Sequence, residues 1–195
     1  MRFRDFGRQL IHIFVGTLVL FLLIINLLTP LHLFIIIVIS AILSLLSRKF
    51  HIPVLYWFID NFDHEKDKKK FPGRAFISFF VGILLSVKLF EPSLAYAAIM
   101  VMTIGDSVSN MIGYNLGKIK NPLNGHKALE GNIAGALVGF FGASFFIPPL
   151  LAAAGSFGAM LIEAIQIRMN EAIVDDNIIV PLTFGAIVMI MRSLI

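Results

Sequence analysis

The residues best suited to chemistry lie in one polar stretch, residues 105 to 131, which reads GDSVSNMIGYNLGKIKNPLNGHKALEG. Asp106 and Asn110 are one helical turn apart, and Gly113 and Gly117 continue the same face of a predicted helix. An ionisable side chain in an apolar helix is costly unless it faces a cavity or a partner, which predicts a functional role for Asp106. The alternative is a carboxylate that reaches the membrane interface or pairs with a lysine.

The polar stretch continues into a loop that contains Lys118, Lys120 and Lys127 and ends at Glu130 and Gly131. Lysine ammonium groups, glycine-rich turns and a helix N-terminus can together bind phosphate oxygens. Contact with anionic lipid head groups explains the same residues equally well. The sequence contains no Walker motif and no protein-kinase glycine loop. The loop therefore predicts either a phosphate site or head-group contact.

Two shorter clusters carry further candidate residues. Arg8 and His12 are one helical turn apart at the start of the first apolar segment, where either residue is common without any chemistry. Residues 175 to 177, Asp-Asp-Asn, precede the last apolar segment. Adjacent carboxylates at a helix N-terminus either cap the helix or hold a hard divalent cation. Asp106 is predicted at the same membrane face, which supports the cation.

The composition is that of an integral membrane protein. Of the 195 residues, 58% are hydrophobic and 14% charged, and the mean hydropathy is +0.89. The absence of cysteine excludes disulfides, thiolate metal sites and cysteine nucleophiles. The net charge of +4 comes from basic residues in short segments between apolar runs, so we expect membrane topology to explain it and expect no nucleic-acid partner.

These candidate residues must be positioned by helices that cross a bilayer. The sequence predicts an all-α, polytopic transmembrane bundle forming one domain over residues 1–195, with about seven spans at residues 10–28, 31–47, 74–90, 93–113, 130–148, 150–167 and 178–195. Tight turns are predicted at Thr29-Pro30 and Pro148-Pro149. Residues 50–59, FHIPVLYWFI, are short and aromatic, which predicts an interfacial or re-entrant segment rather than a full span.

The distribution of basic residues predicts a cytoplasmic N-terminus. That orientation places 14 of the 16 lysines and arginines inside, with only Lys88 and Arg192 outside. The cytoplasmic loops are then residues 48–74, 114–129 and 168–177. The candidate residues collect at the cytoplasmic face of a multi-pass protein.

Three motifs resemble those of the dolichol kinase, phytol kinase and CTP-dependent diacylglycerol kinase family of membrane enzymes. They are RQLIHIFVG at 8–16, GDSVSNMIGYNLGKIKNPLNGHKALEGNIAG at 105–135 and DDNIIVPL at 175–182. The terminal motifs match at Arg8, His12, Asp176, Asn177 and Pro181. The three motifs in this order span most of the chain. Two positions depart from the family pattern, because Gln9 replaces its lysine and Ala128 its serine or threonine.

The resemblance implies transfer of the γ-phosphoryl group of a nucleotide, expected to be CTP, to the hydroxyl of a membrane lipid alcohol. The acceptor would be a polyprenol or dolichol, phytol or a geranylgeraniol-type alcohol, or diacylglycerol. The implied Mg²⁺ ligands are Asp106 and Asp176. The implied catalytic residues are Asp106 and Lys127, with Glu130 or His12 as the proton acceptor. The implied nucleotide and phosphate contacts are Arg8, Asn110, Gly113, Gly117, Lys118, Gly131 and Asn177.

Two other functions remain open alternatives. The central motif is also similar to that of CTP-dependent phosphatidate cytidylyltransferases, although their C-terminal signature is absent. A transporter would use Asp106 and Glu163 as intramembrane coupling sites, but it predicts polar residues on both membrane faces. Gly131, Gly135 and Gly139 favour close helix packing, within the chain or in a possible homodimer.

Overall fold

The computed structural model describes residues 3–47, 71–122, 127–165, 168–169 and 172–194. Its helices are α1 Phe3–Ile24, α2 Pro30–Ser47, α3 Arg74–Leu89, α4 Pro92–Met100, α5 Asp106–Leu116, α6 Leu129–Ala143, α7 Pro149–Glu163 and α8 Asp176–Leu194. A π-helical turn, Val101–Gly105, joins α4 to α5 without a break. Strands β1 Arg168–Met169 and β2 Ala172–Ile173 pair antiparallel. The prediction of a helical fold is confirmed, apart from these two short strands.

Within the described parts of the chain, four stretches are long and apolar enough to cross a membrane, namely Phe6–Ile24, Pro30–Ser47, Pro92–Leu116 and Asp176–Leu194. Helices α6 and α7 are apolar but shorter. Each of the seven predicted ranges contains a helix, whereas the number of spans and the cytoplasmic N-terminus stay predictions. The segment 50–59 and most of the loop 48–74 lie outside the described residues.

Proline begins three of the helices, as its fixed φ and missing N–H favour. Helix α2 starts at Pro30 and α7 at Pro149, which confirms both predicted turns. Helix α4 starts at Pro92. The range predicted as 130–148 is helical only to Ala143, and the chain then turns before Pro148.

The core lies where the second half of the chain packs together. Helix α6 lies against α5 and α7, and α8 lies against α7 and α3. The central side chains Ile99, Met102, Val180 and Phe184 are fully buried. Helices α1 and α2 are peripheral and leave large apolar side chains exposed, as expected for surfaces that face lipid.

Helices α5 and α6 approach each other closely through facing glycines. A Cβ atom on Gly131 would lie 2.7 Å from the Cα of Gly113, and one on Gly135 would lie 2.6 Å from the carbonyl oxygen of Gly105. Such contacts leave no room for a side chain. The structure thus agrees with the packing role predicted for Gly131 and Gly135.

Candidate carboxylate and lysine site

Three carboxylates converge where α7 ends and α8 begins. Asp106 opens α5, Glu163 closes α7 and Asp176 opens α8. Each offers an oxygen, and these oxygens all lie within 4.8 Å of one another. Asp106 and Glu163 are buried, and Asp176 is half-buried. The two predicted metal ligands, Asp106 and Asp176, are therefore brought together.

Lys127 supplies a positive charge to this cluster from the loop before α6. Its Nζ donates to Glu163 Oε1 and to Asp176 Oδ2, the latter at 2.9 Å. Burial alone would lower the pKa of Lys127, but the nearby carboxylates, Glu163 foremost, outweigh burial and raise the pKa above its usual range. Lys127 is therefore a charged ammonium group at neutral pH.

Side-chain amides hold two of the carboxylates in place. Asn110 Nδ2 donates to Asp106 Oδ1 at 3.0 Å, one turn along α5. Asn132 Nδ2 donates to Glu163 Oε2 at 2.8 Å, and Asn132 Oδ1 accepts a hydrogen bond of 3.0 Å from Asn121. Because the two amides orient Asp106 and Glu163, these carboxylates are preorganised.

Among the described residues, the three carboxyl groups of this cluster meet one ammonium group. Carboxylates held this close together relieve the cost of their like charges by taking up a proton or a cation. A set of carboxylate oxygens is the donor chemistry that Mg²⁺ and other hard divalent cations prefer. The residues present thus fit such an ion, with Asp106, Glu163 and Asp176 as the side chains that could hold it.

Glu130 lies outside the carboxylate cluster and organises the loop instead. Its Oε1 accepts hydrogen bonds of 3.0 Å from the backbone N–H groups of Lys118 and Ile119. A backbone bridge between Lys120 and Ala128 closes the same loop. These contacts give Glu130 a structural task, and its predicted catalytic role stays a prediction.

Gly117 does not lie on the α5 face that its spacing predicted. Helix α5 ends at Leu116, and Gly117 is extended, with φ −65° and ψ 116°. A Cβ atom on Gly117 would lie 2.2 Å from the Cβ of Ala128, so the bridged loop packs directly against this glycine. The loop contact, and not the helical repeat, sets the backbone there.

The His12 side chain contacts α5 at Ser107, the residue after Asp106. Its Nδ1 lies 3.2 Å from Ser107 Oγ, and its ring packs edge-on against Phe79 at a centroid distance of 4.8 Å. Among the described residues, no atom pairs with the buried Nε2 of His12. Arg8 lies one helical turn before His12 on α1. His12, of the N-terminal motif, therefore lies beside α5.

Asn177 belongs to a second network, at the starts of α3 and α8. Its side chain donates to Asp175 Oδ1 at 2.8 Å and to Ser78 Oγ at 3.4 Å. Arg74 Nε lies 3.9 Å from Asp175 Oδ2. Burial raises the pKa of Asp175 above its usual value, and the hydrogen bonds only partly offset this. Asn177 is thus a neighbour of the carboxylate cluster.

Sequence reasoning missed two members of the site. The sequence predicts a role for Glu163 only in a transporter, and it predicts none for Asn132. Glu163 is 1% exposed at the end of an apolar helix, and a buried carboxylate there needs a partner. The signal available in the sequence was a carboxylate at the end of an apolar run.

The long apolar helices fit a membrane protein, and the cluster of Asp106, Glu163, Asp176 and Lys127 places charged side chains inside its helical core. No family model and no solved structure matches the chain. The chain is 30% identical over 189 residues to Uncharacterized protein MJ1137 of Methanocaldococcus jannaschii, covering 95% of this chain and 93% of that protein. It therefore belongs to the same family as that archaeal protein.

A second relative, similar to part of the chain, has a name that states an enzymatic activity. The chain is 30% identical over 122 residues to Probable phytol kinase 1, chloroplastic, of Glycine max. The aligned part is 54% of this chain and 39% of that protein.

Proposed function

We propose that the chain is a lipid kinase that transfers the γ-phosphoryl group of a nucleoside triphosphate, expected to be CTP, to the hydroxyl of a membrane lipid alcohol. The observation that carries the proposal is the convergence of Lys127 with Asp106, Glu163 and Asp176 inside the helical bundle. Three of these four residues lie in the motifs that resemble lipid kinases. The partial similarity to the probable phytol kinase supports the same class.

Phosphoryl transfer depends mainly on positioning and charge neutralisation, which suits this site. Asp106 and Asp176, with Glu163, would hold Mg²⁺, which when bound supplies positive charge to the phosphate oxygens. Lys127, Lys118 and Arg8 would add their positive charges around the triphosphate. Asn110 keeps Asp106 oriented through its hydrogen bond.

His12 suits the role of proton acceptor better than Glu130. The Nε2 atom of His12 pairs with no other described residue, whereas two backbone N–H groups already occupy the Glu130 carboxylate. In the proposed step the lipid oxygen bonds to the γ-phosphorus and the bond to the bridging oxygen breaks. CDP leaves, and the hydroxyl proton passes to His12.

The lipid alcohol and the nucleotide would reach this site by different routes. A lipid alcohol would keep its tail among the helices and present its hydroxyl at the interface, while the nucleotide would enter from the cytoplasm. Phytol, polyprenols, dolichol and diacylglycerol all meet these requirements. The acceptor is thus proposed as a class of membrane alcohol.

The test is phosphoryl transfer by the purified protein in detergent or lipid. γ-Labelled CTP and ATP would be supplied separately with Mg²⁺ and a panel of phytol, polyprenol, dolichol and diacylglycerol. We expect label in a lipid, reduced at least about 100-fold in Asp106→Asn and Lys127→Met. Lys120→Met removes the same charge from the same loop, outside the carboxylate cluster, and should lose far less activity than Lys127→Met.

Two results would overturn the proposal. If phosphatidic acid and CTP released pyrophosphate while no label moved from the γ-position, the chain would be a cytidylyltransferase. If reconstituted vesicles showed ion or solute flux that required Asp106 and no transfer took place, the chain would be a transporter.

A further inference from the structure

Lys127 contacts two of the three carboxylates that a divalent cation would need. Its Nζ contacts Glu163 Oε1 and Asp176 Oδ2, which belong to two of the three clustered carboxylates. A bound Mg²⁺ lies about 2.0–2.1 Å from its ligand oxygens. A cation and the Lys127 ammonium sharing these oxygens would be only a few ångströms apart, and like charges at that separation repel strongly.

The hydrogen bonds of Glu163 indicate which of its contacts a cation would have to replace. Its Oε1 accepts from Lys127 and its Oε2 accepts from Asn132, so both of its oxygens are already engaged. Asn132 is buried between α6 and α7 and bonded in turn to Asn121, which anchors the amide. Lys127 is the contact of Glu163 that can be released.

The backbone of Lys127 is fixed while its side chain is long. The Lys127 carbonyl accepts a hydrogen bond of 2.8 Å from Asn121 N–H, and the neighbouring Ala128 pairs with Lys120. Four methylene groups separate this anchored backbone from the ammonium group. The side chain is 16% exposed, so part of it already reaches the surface of the fold.

We infer that Lys127 is an internal counter-ion, which a divalent cation displaces from Glu163 and Asp176. The displaced ammonium group then becomes available to nucleotide phosphates. Metal binding therefore has to precede full phosphate contact by Lys127, which gives the metal and the nucleotide an order of binding. This inference rests on the proposed function and adds the coupling between its metal and its nucleotide.

The experiment measures Mn²⁺ binding to the purified full chain, by electron paramagnetic resonance of free Mn²⁺ and by calorimetry, without nucleotide. Lys127→Met keeps the stem and removes the competing charge, so its Kd for Mn²⁺ should be at least about tenfold lower than that of the wild type. Lys127→Arg keeps the charge and should not bind more tightly. Lys120→Met is the matched control for loss of a lysine from this loop and should bind as the wild type does.

A second readout follows the lysine itself. In the wild type, Mg²⁺ should increase labelling of Lys127 by an amine-reactive reagent, measured by mass spectrometry, and leave Lys120 unchanged. Equal ionic strength from a monovalent salt serves as the control.

The outcomes separate this inference from the proposed function. Equal or weaker Mn²⁺ binding by Lys127→Met, with binding abolished in Asp106→Asn, would overturn the displacement and leave the metal site intact. Absence of Mn²⁺ binding in every variant would overturn the metal site and the displacement together, while lipid phosphorylation would still be judged by the transfer assay.

Discussion

At the scale of single residues, Glu163 links the parts of the site. It is 1% exposed, and it accepts hydrogen bonds from Lys127 on one oxygen and from Asn132 on the other. Lys127 then reaches Asp176 on α8. One side chain thus connects α7 to α6, to the preceding loop and, through the lysine, to α8.

Replacing Glu163 by glutamine should remove most of the activity without unfolding the protein. Glutamine keeps the size of the side chain but lowers the negative charge that would hold a cation and pair with Lys127. We expect lipid phosphorylation to fall about 100-fold. Glu91→Gln is the matched control because Glu91 is 53% exposed and pairs with Arg192 far from the site. Equal activity of both variants would show that the charge of Glu163 does not contribute to phosphoryl transfer.

The raised pKa of Lys127 predicts how stability depends on pH. Because the folded-state pKa lies above that of the unfolded chain, about 10.4, the ion pairs contribute fully below that value and are lost only as pH rises through the folded pKa. Arginine is charged at every accessible pH. The difference in Tm between the wild type and Lys127→Arg should therefore stay constant from about pH 6 to pH 9.

The measurement is thermal unfolding of both proteins in the same detergent. A wild type that loses stability relative to Lys127→Arg within that pH range would show that Lys127 deprotonates and that its pKa is not raised.

At the scale of elements, the contact between α5 and α6 depends on the absence of side chains. Gly131 approaches the carbonyl oxygen of Ser109 as well as Gly113, and a Cβ atom there would lie 2.4 Å from that oxygen. Both neighbours are backbone atoms, so they cannot turn aside. The closeness of these helices sets how near Asp106 on α5 lies to Lys127 before α6.

Gly131→Ala should therefore lower the free energy of unfolding by about 1–3 kcal/mol, since two helices must move apart. Gly7→Ala in α1 is the control, because a Cβ atom at Gly7 meets nothing within 4 Å. Alanine favours a helix over glycine by about 1 kcal/mol, so that variant should be neutral or more stable. Unfolding by denaturant in detergent measures both, and equal stability of the two variants would argue against the close contact.

The start of α8 shows a second close approach between elements. Pro181 has no N–H group to donate to the carbonyl oxygen of Asn177, four residues earlier in the helix. Gly82 of α3 packs against that carbonyl, and a Cβ atom on Gly82 would lie 2.0 Å from it. The Asn-x-x-x-Pro part of the motif thus shapes a helix contact beside the site.

At the scale of the whole molecule, two ion pairs mark opposite ends of the bundle. Arg74 and Asp175 meet where α3 and α8 begin, and Glu91 and Arg192 meet at 2.5 Å where those helices end. The two helices are therefore parallel. The carboxylate cluster lies near the first end, since Asp176 opens α8.

The absence of cysteine makes the orientation of this molecule directly measurable. Lys120→Cys lies in the loop beside the site, and Lys88→Cys lies near the opposite end of α3; both lysines are exposed. We expect a membrane-impermeant maleimide to label Lys120→Cys only from the cytoplasmic side and Lys88→Cys only from the other side. The reverse pattern would invert the topology, and labelling of both from one side would contradict the predicted spans.

The sequence by itself determined the helices, the turns at Pro30 and Pro149, and most of the polar residues that meet at the site. These follow from local rules, because apolar runs, proline and glycine act within a few residues of themselves. Asp106, Lys127 and Asp176 were recognisable because a charged side chain in an apolar chain is costly unless it has a partner or a function.

Only the tertiary structure decided which charges meet. Lys127 lies 36 residues from Glu163 and 49 from Asp176, and the π-helical turn directly before Asp106 has no signal in residue type. Contacts across such separations depend on how closely and at what angle helices pack, which the facing glycines of α5 and α6 set. Periodicity places a residue on a helix face, and packing determines what that face meets.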